Sequence, residues 1–110
     1  MNLKFEIKKS KDGQWFFNLR SAILEILVIS EMYKAKQSVH VGIDAVFDAA
    51  ASIEYFQHRT AKNRLFYFVI IARNGEIVGT SKMFQCNQER ITAIETILTG
   101  LATAEIVEKY

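Results

Sequence analysis

Proline is absent from these 110 residues and cysteine occurs once, at Cys86. A lone cysteine excludes an internal disulfide and suits a reducing compartment, so a cytoplasmic location is expected. With no proline and no low-complexity segment, nothing marks a flexible linker. The five glycines are scattered, which argues against a glycine-rich phosphate loop. Neither charge sign dominates: the formal net charge is +2, too small to argue for a nucleic-acid partner. Lys4, Lys8, Lys9 and Lys11 cluster near the start and read as a solvated strand edge; weak nucleic-acid binding through that strand is the alternative. Long apolar runs are missing as well. Ala22–Ile29 contains Glu25 and is far too short to span a bilayer, and the opening MNLKFEIKKS alternates and carries charge, unlike a signal peptide. No membrane partner is expected. Histidine is scarce: His40 and His58 have no second ligand at metal spacing on the same element, so neither a metal nor another cofactor is expected.

What is present is apolar and aromatic. Half of the residues are hydrophobic and 12% are aromatic, enough to build a packed core in one compact domain. They are also arranged twice. When residues 4–59 are laid over 55–110, a shift of 51 without gaps, eleven of 56 positions are identical, well above chance. Trp15-Phe16-Phe17 falls on Phe66-Tyr67-Phe68, Glu25-Ile26 on Glu76-Ile77, and Ser30, Met32 and Tyr33 on Ser81, Met83 and Phe84.

Each copy reads as three strands, a helix and a strand. Leu3, Phe5 and Ile7 alternate with Lys4, Glu6 and Lys8, the period of a half-buried strand, and Ser10–Gly13 forms a turn. Trp15–Arg20 is a second strand and Ile23–Ser30 a third, β-branched on both faces and so central. In the second copy Asn74-Gly75 suits a two-residue hairpin; the first copy has Ile23-Leu24 there, which predicts a longer or distorted turn. Val39, Gly42, Ile43, Val46, Phe47 and Ala50 form one stripe of a helix that stops near Ala51, and Ile91, Ile94, Ile97, Leu98 and Leu101 form the matching stripe, with Asn87 as N-cap. Ser52–Thr60 is expected to close the first copy and open the second, and Glu105–Glu108 to be a short last strand. A unit of this size buries too little surface alone. The expectation is therefore an α+β fold: a single domain over residues 1–110, made of two tandem β-β-β-α-β repeats (about 3–53 and 54–110). They would form one antiparallel sheet with two helices on one face and a pseudo-twofold between the halves.

The order and spacing of Phe5, Ile7, Asp12-Gly13, Trp15, Phe17 and Leu19, then Ser30-Glu31 and Tyr33, then Gly42-Ile43, with their recurrence through Asn74-Gly75 and Ser81, resemble the YegP-like family of small bacterial tandem-repeat proteins. The resemblance spans nearly the whole chain. It implies repeats that share one sheet and exchange their C-terminal strands, and it carries no assigned activity or catalytic residue. The sequence departs from the pattern at Ile23-Leu24, at Lys82, which stands where the first copy has Glu31, and at Ala93, which stands where it has Gly42.

Chemistry is sparse. Adjacent residues at a strand end point to opposite sides, so Glu31 is badly placed to activate Ser30, and the paired serines Ser30 and Ser81 are expected to bond to nearby backbone. Glu31 and Lys82, pseudo-symmetric and opposite in charge, are expected to pair across the axis. Cys86 reads as a passive thiol. The protein is therefore expected to be a non-catalytic binding or interaction module rather than an enzyme. Phe16, Tyr67 and Arg20 are placed by alternation on the sheet face away from the helices and are the candidate contact surface for an unknown protein partner or for self-association. The repeat signature Ser30, Glu31, Tyr33, Ser81, Lys82 and Phe84 marks the alternative, a small-ligand or enzymatic site between helices and sheet.

Overall fold

The computed structural model describes residues 2–110. The period-two segments become strands β1 (Lys4–Lys9), β2 (Trp15–Arg20) and β3 (Ile26–Ser30), followed by helix α1 (Lys36–Ala49). A short 3-10 turn, Ile53–Tyr55, leads into β4 (Phe56–Thr60), β5 (Phe66–Ile71), β6 (Ile77–Ser81) and helix α2 (Asn87–Gly100). A second 3-10 turn, Leu101–Thr103, precedes β7 (Glu105–Glu108). All seven strands lie in one sheet, in the order β4-β5-β6-β3-β2-β1-β7. After α1 the chain crosses to the far half of the sheet, and after α2 it crosses back, so each repeat ends in the other's half.

The halves meet at β3 and β6, which pair antiparallel through Val28–Ser81, Ile29–Thr80 and Ser30–Gly79. Under the shift of 51 the first and third pairs exchange, so the pseudo-twofold passes through Ile29–Thr80. Gly79 stands where the first repeat has Val28. A Cβ there would come within 2.7 Å of the Val28 side chain, so only one of the two positions beside the axis has room for a valine. Both helices cover one face. Phe5, Phe17, Leu19 and Ile43 from the first repeat merge with Phe68, Ile70, Ile94 and Ile97 from the second in a single apolar cluster. Each such side chain removed from water contributes about 1.5–3 kcal/mol, and neither repeat has a core of its own.

Several expectations need correction. The sheet is antiparallel except at β7, which runs parallel to β1 with Phe5 opposite Ile106. Ser52–Thr60 is not one strand: Ile53–Tyr55 is a 3-10 turn, and β4 begins only at Phe56. β3 begins at Ile26 rather than Ile23. The first repeat's hairpin is neither longer nor distorted. Leu24 donates its N–H to Ser21 O at 2.9 Å as Gly75 does to Ala72 O, and Leu24 takes φ 67° where Gly75 takes φ 87°. Cys86, not Asn87, precedes α2, and no side chain caps that end. In the second stripe the buried position is Arg90, counterpart of Val39, while Ile91 is only half-buried.

Candidate binding grooves at the repeat signature

The repeated phrase Ser30–Tyr33 and Ser81–Phe84 lies where each repeat leaves the sheet and touches the other. The Ser30 hydroxyl accepts from Phe17 N–H at 2.8 Å and donates to Glu31 O at 2.9 Å; Ser81 does the same with Phe68 N–H at 2.9 Å and Lys82 O at 2.7 Å. Both hydroxyl protons are thus held by backbone carbonyls. Glu31 N–H then donates to Val78 O, and Lys82 N–H to Leu27 O, each across the repeat boundary at 3.0 Å. Tyr33 is fixed by paired backbone hydrogen bonds with Trp15, and Phe84 by the same pair with Phe66. A strand that stops while its neighbour continues leaves an amide unpaired, and the serine hydroxyl satisfies it.

Two grooves open beside this phrase, related by the pseudo-twofold. One, of about 570 Å³, lies between α1 (Val41, Gly42, Ala45), Glu31 and Tyr33 of the first repeat and the Ala72–Val78 hairpin of the second. The other, of about 580 Å³, lies between α2 (Thr92, Ala93, Thr96), Lys82 and Phe84 of the second repeat and the Ser21–Leu27 hairpin of the first. Each groove needs both repeats.

Their electrostatics differ. In the α2 groove Lys82 Nζ sits 3.1 Å from Glu25 and 5.6 Å from the centre of the Phe84 ring, so an ammonium is held by a carboxylate and an aromatic face. In the α1 groove the counterparts are Glu31, Glu76 and Tyr33: two carboxylates and an aromatic ring. No lysine or arginine pairs with either carboxylate among the described residues. The expected Glu31–Lys82 pair does not form, because Lys82 turns to Glu25. Burial, reinforced by the charges of Glu31 and Glu76, pushes the Tyr33 phenol above its usual range.

Of the other sequence-singled residues, Phe16, Tyr67 and Arg20 lie on the face opposite the helices. Phe16 and Tyr67 are half-buried, and Arg20 is tied by Nε to Glu6 at 2.5 Å and by Nη1 to Leu24 O at 2.6 Å. His40, His58 and Cys86 do not converge; among the described residues no three His, Cys, Asp or Glu side chains group as metal ligands. Among the described residues no helix is long and apolar enough to cross a membrane. Sequence reasoning missed Glu76, Gly42 as a groove wall, and Arg90. The repeat overlay carries a signal for each: Glu76 matches Glu25, Gly42 matches Ala93, and Arg90 occupies a core position that is valine in the first copy.

Comparison with known proteins agrees with this architecture. A family model described as a domain of unknown function, DUF1508, matches residues 10–55 and again 61–108. The chain belongs to this DUF1508 family. Similar relatives include a UPF0339 protein of Pseudomonas aeruginosa, 44% identical over 91 residues that cover 81% of this chain and 83% of the relative. The UPF0339 protein YegP of Escherichia coli is 37% identical over 93 residues, covering 84% of each chain. The solution structure of Escherichia coli yegP, a protein of unknown function, superposes with a TM-score of 0.92 at 32% identity, covering 99% of this chain and 94% of that one. A UPF0339 protein of Shewanella oneidensis gives 0.91 at 29% identity, covering 98% and 92%. The tandem DUF1508 repeats and their joint α+β sheet are therefore shared, and the family name assigns no activity.

Proposed function

We propose that the protein is a non-catalytic binding module of the cytoplasm whose α1 groove takes the ammonium group of a partner or ligand. The observation that carries this reading is the contrast between the grooves. In one, Lys82 supplies the cation facing Glu25 and Phe84; in the other, Glu31 replaces that lysine and stands with Glu76 beside Tyr33. Two carboxylates at an apolar wall of Met32, Val41 and Ile77 suit a cation on a short alkyl stem, such as a lysine side chain. The non-catalytic part rests on Ser30 and Ser81, whose hydroxyl protons are held by carbonyls and leave no activated nucleophile.

The test is an NMR titration with n-butylammonium, the lysine side chain as a free cation. The expected result is a saturable shift at Gly42, Tyr33 and Glu76, with affinity in about the millimolar range, weakened by salt and by Glu76→Gln. Equal responses in both grooves, or no saturable response, would reject the reading.

A second surface is favoured by one observation. On the open sheet face Ile29 is 46% exposed at the pseudo-twofold, on the same face as Phe16 and Tyr67, and Asn18 Oδ1, opposite it on β2, is buried without a partner among the described residues. That patch suits a protein partner or self-association, and Ile29→Ser would weaken such contact without touching the core.

A further inference from the structure

The repeat symmetry is broken at one edge of the sheet. In the first half, β1 is flanked on its outer side by β7, with Leu3 O accepting from Glu105 N–H at 2.9 Å and Ile7 O from Lys109 N–H at 2.8 Å. In the second half the counterpart of β1 is β4, and it ends the sheet with nothing beyond it among the described residues. The segment that would have supplied a neighbour by symmetry, residues 54–57, is spent on the 3-10 turn and on β4 itself. Gln57, His58, Arg59 and Thr60 are consequently exposed, whereas Phe5, Glu6 and Ile7 of β1 are buried.

The covered edge shows what an occupant looks like. β7 is a parallel strand, acidic at both ends, lying on a lysine-rich β1; Glu105 is opposite Lys4, and Glu108 forms an ion pair with Lys36 at the start of α1. At the open edge the counterpart of Lys36 is Asn87, and the cation is Arg90, one helical turn further on. Arg90 is 7% exposed. Its Nη2 donates to Asn87 Oδ1 at 2.6 Å, and its Nη1 donates to Arg59 O at 3.0 Å. Its guanidinium lies 5.1 Å from the centre of the Phe66 ring. Nε is buried with no partner, and no carboxylate pairs with the group among the described residues. A guanidinium this buried normally has a counter-ion, since its desolvation is otherwise uncompensated. It also faces His58, whose imidazole is held below its usual range by burial and by the Arg90 charge. Arg59 adds a further positive charge and no acid stands on β4.

We propose that β4 is a docking edge for an extended acidic–apolar segment of another polypeptide, added as a parallel strand in the register that β7 takes on β1. Its carboxylate, at the place equivalent to Glu108, would pair with Arg90. The Phe56 N–H is taken by Ile53 O in the 3-10 turn, so the Phe56 carbonyl and the backbone groups of His58 would supply the ladder, and side chains its selectivity. This site is separate from the grooves and stands or falls independently of them.

The chain itself provides a probe: the synthetic heptapeptide AEIVEKY, the sequence of residues 104–110, added to the full-length protein. The expected result is saturable amide shifts at Phe56–Thr60, Phe66 and Arg90, with β1 unperturbed because its own tethered β7 outcompetes the peptide. Replacing the second glutamate of the peptide by glutamine is expected to weaken binding about tenfold, a comparison that needs no protein variant. His58→Pro, which removes one outward N–H at an edge where proline is tolerated, is expected to abolish the shifts. The absence of a saturable response, shifts on β1 instead of β4, or equal affinity of the glutamine peptide would overturn the proposal. Self-association of the protein through β4 that excludes the peptide would overturn it too, by giving the edge to a second copy.

Discussion

At the scale of single residues, the two repeats diverge by matched exchanges. Tyr33 faces Gly42, and Phe84 stands by Ala93. A Cβ on Gly42 would lie 2.6 Å from the Tyr33 hydroxyl oxygen, so a hydroxyl on the ring and a methyl on the helix exclude each other. Gly42→Ala alone is expected to destabilise the fold by about 1–2 kcal/mol, since overpacking outweighs the helix-propensity gain. In a Tyr33→Phe background the same change is expected to cost less by about 1 kcal/mol, although the ring carbon Cζ at 3.2 Å must still shift slightly. A double-mutant cycle by urea unfolding checks this, and additive effects would refute the pairing. Arg90 belongs to the same scale. The charge hid it from any reading of helix periodicity, because a stripe is sought among apolar side chains, and its burial depends on Asn87, Phe66 and the β4 backbone, which only the fold brings together.

At the scale of elements, most of the architecture was legible. Alternation in Leu3–Lys8 and Trp15–Arg20 marked strands, and the stripe through Val39, Ile43 and Val46 marked α1, because burial on one face imposes those periods. The turn at Ile23-Leu24 was not legible. Its residues oppose the local geometry, and the hairpin forms because the flanking strands impose it, helped by Arg20 donating to Leu24 O. Leu24 therefore sits in the left-handed region at a cost of about 1–2 kcal/mol. Leu24→Gly is expected to raise stability by about 0.5–1 kcal/mol, less than the full strain because glycine also loosens the unfolded chain. Thermal unfolding checks this; a lower melting temperature would show that the half-exposed Leu24 side chain holds more than the strain releases. The last strand was legible at Glu105–Glu108, but its direction was not. The Glu105–Glu108 pattern fixes a strand but not its direction, which follows from α2 delivering the chain to the outer side of β1.

At the scale of the molecule, duplication with exchange produces one core and two composite grooves, each walled by both repeats. The family resemblance and the repeat foretold the shared sheet. The grooves were only half foreseen. The signature residues Glu31, Tyr33, Lys82 and Phe84 were singled out, but Glu76 reaches Glu31 and Glu25 reaches Lys82 from the opposite repeat, 45 and 57 positions away. Such neighbours follow from topology and not from spacing. The account holds that the α1 groove carries two carboxylates where its twin carries an ion pair, and that this difference makes it a site for an external ammonium. Glu31→Lys rebuilds in the α1 groove the pairing seen in the other. The decisive measurement is the melting temperature and the n-butylammonium titration of that one variant. The account predicts a gain in stability of about 0.2–1 kcal/mol, the worth of a part-exposed pair, together with loss of the saturable response at Tyr33. Unchanged n-butylammonium binding by the variant would contradict it.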